Sequence, residues 1–80
     1  MKRKQVWWVT TITITTEYLT LGQMLKEAGI IDSGGQAKPF LATETVLVNG
    51  EADDRRGRKL YPGDTVTLAD GQTFTIAAAQ

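Results

Sequence analysis

The first patterned segment of the chain runs from Val6 to Thr16, where an apolar run is followed by threonines that alternate with isoleucine at residues 11–15. Valine, tryptophan, isoleucine and threonine dominate it, and these residue types favour a β-strand. Because successive side chains of a strand point to opposite faces, one parity should meet the core. The expected core face comprises Trp8, Ile12 and Ile14. Trp7 lies on the opposite face, where it is exposed, packs on a partner or offers a surface for a base, in that order of preference.

A helix is predicted after this strand. Thr20 and Gln23 have the spacing of a capping box, in which each side chain satisfies a backbone donor of the other residue. Leu19 and Met24 stand at the positions of a hydrophobic staple. Apolar residues then recur at helical spacing, at Leu21, Met24, Leu25 and Ala28. Gly29 is expected to end the helix in the left-handed conformation.

A second, shorter helix is predicted from the same kind of start. Ser33 and Gln36 repeat the capping-box spacing, and the helix should end between residues 43 and 45. Its apolar stripe consists of Ala37, Phe40 and Leu41. Pro39 is compatible with this helix because it falls in the first turn, where few backbone donors have partners to lose.

Short strands and tight turns are predicted in the second half of the chain. Val46–Val48 reads as a brief strand, and Asn49-Gly50 is a strong signal for a two-residue turn. The chain should therefore fold back over residues 51–53. A further turn is expected at residues 62–64, where proline, glycine and aspartate follow one another.

The last segment, residues 64–77, is predicted to be a β-hairpin, and its apolar residues fix the loop length. A two-residue turn at Asp70-Gly71 would place the apolar residues of the two strands on opposite faces of the hairpin, which wastes a small core. A three-residue loop at residues 69–71 instead pairs Val66 with Phe74 and puts Gly71 at the left-handed position of a bulge. We predict the three-residue loop.

The order of elements indicates an α+β fold, with two short helices packed on a small antiparallel sheet and an added N-terminal strand. The 80 residues suffice for a single domain, here residues 1–80, with a flexible basic start at residues 1–5. No apolar segment approaches the roughly 20 residues that a membrane helix needs, so we expect a soluble, cytoplasmic protein that does not bind membranes.

Composition excludes several kinds of chemistry. The chain contains no cysteine and no histidine, which removes disulfides, the usual zinc sites and imidazole bases. Ser33 is the only serine and has no candidate base, so nucleophilic catalysis has no support. We therefore expect no enzyme activity, no metal and no cofactor. Nine basic and nine acidic residues give a net charge of zero, so nucleic-acid binding must be argued from where the charges lie.

The most concentrated charge is a basic run at residues 55–59. Its four cations are Arg55, Arg56, Arg58 and Lys59. One interpretation is a phosphate clamp, because guanidinium groups match phosphate oxygens with paired hydrogen bonds. The other is a solvated loop balanced by Asp53 and Asp54. We favour the clamp because Gly57 lets the backbone approach a ligand closely.

Further candidate contacts lie on the helices. Gly34, Gly35 and Gln36 form the start of the second helix, where an anion could bind, although Gln36 is also explained as a cap. Lys38 follows, off the buried stripe, and is either solvated or a phosphate contact. Lys26 on the first helix is either solvated or extends the basic surface.

Taken in order, these segments resemble the S4 RNA-binding domain, most closely its small stand-alone bacterial members of the YaaA type. The resemblance rests on residues 21–26, 33–38, 46–51, 55–59 and 63–66 and covers about 50 residues within 20–68. It implies the S4-like αL motif, docking on structured RNA such as ribosomal or transfer RNA, a possible ribosomal-subunit partner and a monomer. The contacts it implies are the start of the second helix and the basic loop. Many S4 domains carry an arginine where this chain has Gly34, so that contact is lost here.

Two other classes remain open. Ubiquitin-like sulfur carriers share the Val-Asn-Gly-Glu pattern of residues 48–51, but they need a C-terminal Gly-Gly, and this sequence ends in Ala-Ala-Ala-Gln. A protein-interaction adaptor would use Trp7 and the threonine-rich first strand as a sheet edge.

Overall fold

The computed structural model describes residues 9–79, which form two α-helices and seven β-strands. The helices are α1 (Leu21–Glu27) and α2 (Ala37–Thr43). The strands are β1 (Val9–Ile14), β2 (Leu19–Thr20), β3 (Val46–Val48), β4 (Glu51–Ala52), β5 (Lys59–Leu60), β6 (Thr65–Leu68) and β7 (Thr73–Ala78). The predicted α+β class is confirmed. The expectations for Trp7, Trp8 and the basic start concern residues outside the described range.

The strands form a five-stranded sheet in the order β1-β7-β6-β3-β4 and a two-stranded ribbon of β2 and β5. The pairs within the larger sheet are antiparallel except for β1 and β7, which run parallel, with Val9 opposite Thr73 and Ile14 opposite Ala78. The sheet is thus mixed, whereas an antiparallel sheet was expected. The chain leaves β1 for the helices and returns to β7 only at its end, so the two strands can enter the sheet in the same direction.

The alternation along β1 has the predicted orientation. Ile14 is buried and Ile12 is partly buried against the core, while Val9 and the threonines at positions 10, 11 and 13 are exposed. β1 lies at one edge of the sheet, and most of its exposed residues are threonines.

Helix α1 begins and ends as its sequence predicts. The backbone N–H of Thr20 donates to Gln23 Oε1 at 2.9 Å, and the backbone N–H of Gln23 donates to Thr20 Oγ1 at 3.3 Å, which completes the capping box. Leu19 and Met24 are both buried at the staple positions. Gly29, with φ of 78°, follows the helix in the left-handed conformation.

The second helix is preceded by a single 3₁₀ turn at Gly34–Gln36. The Gln36 side chain accepts hydrogen bonds from the backbone N–H groups of Asp32 and Ser33, so it caps this turn as expected. Helix α2 then buries Ala37 and Leu41. The helix ends at Thr43, within the predicted range.

No helix among the described residues is long and apolar enough to cross a membrane.

The predicted turns are also confirmed. Asn49 and Gly50 both have positive φ, 53° and 87°, in a two-residue turn that pairs Val48 with Glu51. In the final hairpin Val66 pairs with Phe74, and Gly71 has φ of 98° in the three-residue loop. The apolar residues of β6 and β7 therefore share one face, which packs on the helices.

One core joins the helices and both sheets. Its most deeply buried members are Leu21, Met24, Leu25, Leu60, Ile76, Val46, Val48 and Val66. Leu60 belongs to the small ribbon, so the ribbon is anchored to the same core as α1. The segment that leads into β5 is consequently held against the start of α1.

Candidate nucleic-acid interface

The basic loop, residues 55–59, connects β4 to β5 and is tied to the start of α1 through its backbone. The Leu21 N–H donates to the Arg58 carbonyl at 2.8 Å, and the Gly22 N–H donates to the Arg56 carbonyl at 2.9 Å. These bonds, together with the Thr20 cap, satisfy the first backbone donors of α1. Because the loop itself occupies those donors, the start of α1 does not offer them to an anion.

Gly22 is required by the close approach of three segments. A Cβ at this position would lie 3.3 Å from the Arg56 carbonyl oxygen and 3.3 Å from the Ala37 Cβ. The first residue of α2 and the basic loop thus meet on the same side of α1. Sequence reasoning gave no role to Gly22, and an isolated glycine inside a helical pattern was the available signal.

Asp53 forms ion pairs with two of the four cations of the basic loop, Arg55 and Arg58. Its carboxylate lies 2.7 Å from Arg55 Nη2 and 2.8 Å from Arg58 Nη1, and it also accepts the Arg55 backbone N–H at 2.9 Å. The Asp53 side chain is only 8% exposed, while that of Arg55 is 67% exposed. The hydrogen bonds from Arg55, with those from Arg58, hold the pKa of Asp53 well below its usual range, although desolvation opposes them.

Arg56 and Lys59 form no ion pair within residues 9–79 and are exposed. Asp53 thus pairs with both Arg55 and Arg58, but its single negative charge balances only one of them, and the other two cations have no ion pair among the described residues. The loop presents uncompensated positive charge beside a pair of arginines whose orientation is fixed by Asp53.

A cleft of about 310 Å³ brings the basic loop together with the start of the second helix. Its lining residues are Thr20, Gly22, Gln23, Gly34, Ala37, Arg56 and Gly57. Gly34 and Gly57 come from two segments that the sequence separates by more than twenty residues. Both had been predicted at one binding surface, and the fold places them along one cleft.

Neither Gly34 nor Gly57 is required by packing. A Cβ at either position would have no neighbour within 4 Å, and neither residue has a positive φ. These two glycines therefore differ from Gly22, whose small size the fold needs. Open space above the backbone at both positions leaves room for a ligand to approach.

The remaining candidates are exposed but do not line this cleft. Lys38 is exposed on α2, directly after Ala37 of the cleft wall. Lys26 is exposed on α1, one turn beyond Gln23 and on the same side of that helix. Gly35 is exposed in the 3₁₀ turn, whereas the Gln36 side chain is engaged in capping. RNA contacts from these residues stay predictions.

Two tyrosines next to the basic loop were missed by sequence reasoning. Tyr18 and Tyr61 have ring centroids 5.8 Å apart, and Lys59 Nζ lies 4.9 Å from the centroid of the Tyr18 ring. Both tyrosines are exposed, at 36% and 43%. Tyr18 and Tyr61 are 43 positions apart, and only the pairing of β2 with β5 brings them together.

Among the described residues, no group of three or more acidic, histidine or cysteine side chains could hold a metal ion. The basic loop instead carries four cations, two of them oriented by Asp53.

Comparison with known proteins identifies the family. The family model described as S4 domain matches residues 12–77. The chain belongs to the S4 domain family. The match begins within β1 and ends within β7, so the S4 domain includes the parallel strand pair as well as the helices and the basic loop.

One similar protein extends this result. The probable ribosome maturation protein RlbA of Bacillus subtilis (strain 168) is 55% identical over 65 residues, which are 81% of this chain and 92% of that protein. Membership in the S4 family supports an RNA-binding, non-enzymatic role for this chain. It also sets the chain apart from the ubiquitin-like sulfur carriers that share its Val-Asn-Gly-Glu pattern.

Proposed function

We propose that this S4 domain docks on structured RNA, ribosomal or transfer RNA, through the basic loop and the start of the second helix, and that it serves ribosome maturation. The observation that carries this proposal is the cleft in which Gly34 of the 3₁₀ turn faces Arg56 and Gly57 of the basic loop. The name of the Bacillus subtilis relative supports the ribosomal part.

The charges of the loop suit phosphate binding despite a net charge of zero. Arg56 and Lys59 are exposed and have no acidic partner in the described part of the chain. Lys38 adds a further exposed cation, one residue after Ala37 of the cleft lining. A local cluster of this kind attracts the RNA backbone by releasing its condensed counterions, and the overall charge of the protein matters less than this local density.

Arg55 and Arg58 take part in a different way. A guanidinium group has five N–H donors, and Asp53 uses only some of those of each arginine. The remaining donors can reach phosphate oxygens while the ion pair persists. Because Asp53 fixes both side chains before RNA arrives, less side-chain entropy is lost on binding.

The target is a folded RNA read mainly through its shape and phosphates. Side chains cannot read bases in the deep, narrow major groove of an RNA helix, so duplex recognition relies on backbone and 2′-hydroxyl contacts. The glycines at 34 and 57 provide open backbone along the cleft, where an RNA strand can lie close to the protein.

Sedimentation with ribosomal particles tests this function. We expect the wild-type protein to sediment with ribosomal particles at low salt, and with immature particles more strongly than with mature ones. The variant Arg56→Ala with Lys59→Ala should stay at the top of the gradient. The charge-conserving pair Arg56→Lys with Lys59→Arg is the matched control and should retain most binding.

The results separate the parts of the proposal. Binding to transfer RNA without any binding to ribosomal particles would refute the ribosomal assignment alone. Failure to bind any structured RNA at low salt would refute RNA binding itself.

A further inference from the structure

The ribbon of β2 and β5 presents an exposed aromatic pair with a lysine beside the basic loop. Leu19 pairs with Leu60, and both are buried, so the flanking residues of the ribbon point outward. Tyr18 and Tyr61 follow this rule and lie across from each other at the open end of the ribbon. Lys59 shares their face and reaches diagonally over the Tyr18 ring.

We propose that Tyr61, with Tyr18 and Lys59, forms a stacking site for one unpaired nucleotide of the bound RNA. This inference rests on the proposed RNA-binding function and deepens it, because it specifies the ligand as a helix interrupted by a bulge or a loop. Stacking sites of this kind accept any base, since every base has a π face.

Hydrogen bonds fix the backbone at both tyrosines. The Tyr61 N–H donates to Asp64 Oδ2 at 2.8 Å, and the Asp64 N–H donates back to the Tyr61 carbonyl at 2.9 Å. In the bend before β2, the Thr16 hydroxyl donates to the Tyr18 carbonyl at 2.8 Å. The aromatic pair therefore directly follows or precedes the ribbon strands, and hydrogen bonds to the adjoining bend and turn fix its backbone.

The two rings have different roles. Lys59 lies over the Tyr18 ring, where a cation–π contact fixes the ammonium group. Tyr61 is the more exposed ring, at 43%, and borders an open cavity of about 700 Å³. A base can stack on Tyr61, while Lys59 remains close enough to meet the phosphate of the same nucleotide.

The rest of this cavity suits a nucleotide better than an apolar ligand. It is lined by Arg55, Gly57, Arg58, Lys59, Tyr61 and Asp64. The carboxylate of Asp64 is engaged locally, because Oδ2 accepts the Tyr61 N–H and Oδ1 accepts Asn49 Nδ2. Three cations thus line the same cavity as Tyr61, and they belong to the loop that is proposed to bind the RNA backbone.

A duplex cannot fill this site, because its bases are stacked on one another and are not available to a tyrosine ring. A bulged or looped-out base adjoining a helix can reach Tyr61 while the helix lies on the basic loop. The site would therefore distinguish interrupted helices from continuous ones, which the phosphate contacts alone cannot do.

Three RNAs test the proposal with the intact protein: a continuous duplex, the same duplex with a one-nucleotide bulge, and the same bulge with an abasic nucleotide. The abasic RNA keeps the backbone and removes only the base. Wild-type protein should bind the bulged RNA roughly tenfold more tightly than the abasic RNA, since stacking one base contributes about that much. Tyr61→Leu should abolish this difference, and Tyr61→Phe should keep it.

Each outcome bears on a different claim. Equal wild-type affinity for bulged and abasic RNA, or a preference that survives Tyr61→Leu, overturns the stacking site and leaves RNA binding intact. In that case the tyrosine pair would suit a protein partner better. Binding to none of the three RNAs overturns both the stacking site and the proposed function. The abasic comparison needs no variant, so a folding defect in Tyr61→Leu does not affect it.

Discussion

The Gly22 N–H donates to the Arg56 carbonyl at 2.9 Å, and this bond fixes the basic loop on the first turn of α1. The same glycine lies close to Ala37, the first residue of α2, where the two helices and the loop leave no free space for a Cβ. A Cβ here would meet the Arg56 oxygen and the Ala37 Cβ at 3.3 Å each, which is tighter than ordinary contact.

Gly22→Ala should therefore destabilise the protein, although alanine is the better helix former. The loop and α2 would each have to shift by a few tenths of an ångström, and we expect a net loss of about 1 kcal/mol in the free energy of unfolding. Urea denaturation measures this directly. Stability equal to or above wild type would show that the three segments are not held as tightly as the contacts indicate.

Gly57→Ala is expected to separate binding from folding. A Cβ at this position has no neighbour within 4 Å, and the residue does not have positive φ, so stability should change by less than about 0.5 kcal/mol. If RNA approaches the backbone at this point, the added methyl group should weaken RNA binding. Titration of a labelled RNA checks this, and unchanged affinity would remove Gly57 from the binding surface.

The ion pairs of Asp53 predict a dependence of stability on acid. Arg55 and Arg58 lower the pKa of Asp53 in the folded protein, so the unfolded chain takes up a proton first as the pH falls. The stabilisation from these ion pairs is fully present at pH values above the ordinary pKa of an aspartate. The stabilisation is lost as the pH falls from that ordinary pKa toward the lowered pKa of Asp53 in the folded state.

Unfolding by urea at several pH values between about 2 and 6 measures this effect. Asp53→Asn should be less stable at neutral pH and should show a shallower fall in acid than the wild type. Asp54→Asn is the matched control, because Asp54 accepts no side-chain hydrogen bond among the residues that the structure describes. Asp70, whose pKa is lowered by hydrogen bonds from Gln72, should supply part of the remaining dependence. Equal pH profiles for wild type and Asp53→Asn would contradict this account.

Gly71→Ala tests the loop of the final hairpin. Gly71 has φ of 98°, a conformation that costs an alanine roughly 1 to 2 kcal/mol. We expect the midpoint of thermal unfolding to drop accordingly. Gly57→Ala, a similar substitution without positive φ, provides the comparison. A loss no larger than that of Gly57→Ala would mean that the three-residue loop can rearrange without penalty.

Local signals in the sequence predicted much of this fold. The capping box of Thr20 and Gln23 and the Asn49-Gly50 turn each depend on residues within a few positions of one another. The pairing of Val66 with Phe74 could be derived because only one loop length puts both strands' apolar residues on the same face.

Long-range pairing was not predictable in the same way. Nothing near β1 indicates that its partner is β7, more than fifty residues away, or that the two strands run parallel. The ribbon of β2 and β5 has only two residues in each strand, which is too short for any periodic signal. Tyr18 and Tyr61 meet across this ribbon, and for that reason the sequence did not reveal them.

The sequence predicted which segments form the candidate site, but not which of its charged side chains pair with one another. The sequence placed the basic loop and the start of the second helix in one surface, and the cleft along Gly34 and Arg56 agrees with that arrangement. It left open whether the acidic neighbours neutralise the loop. Only the structure shows that Asp53 pairs with Arg55 and Arg58, since the choice depends on side-chain geometry.

The most direct test of the RNA-binding claim is a salt series. Affinity for a structured RNA is measured at several salt concentrations for wild type and for a variant in which all four cations of the basic loop are alanine. Each lost phosphate contact should flatten the slope of log affinity against log salt by about 0.7 to 0.9. We expect a steep slope for the wild type and a collapse of both affinity and slope in the variant. Equal binding and equal slopes would show that RNA does not bind at this loop.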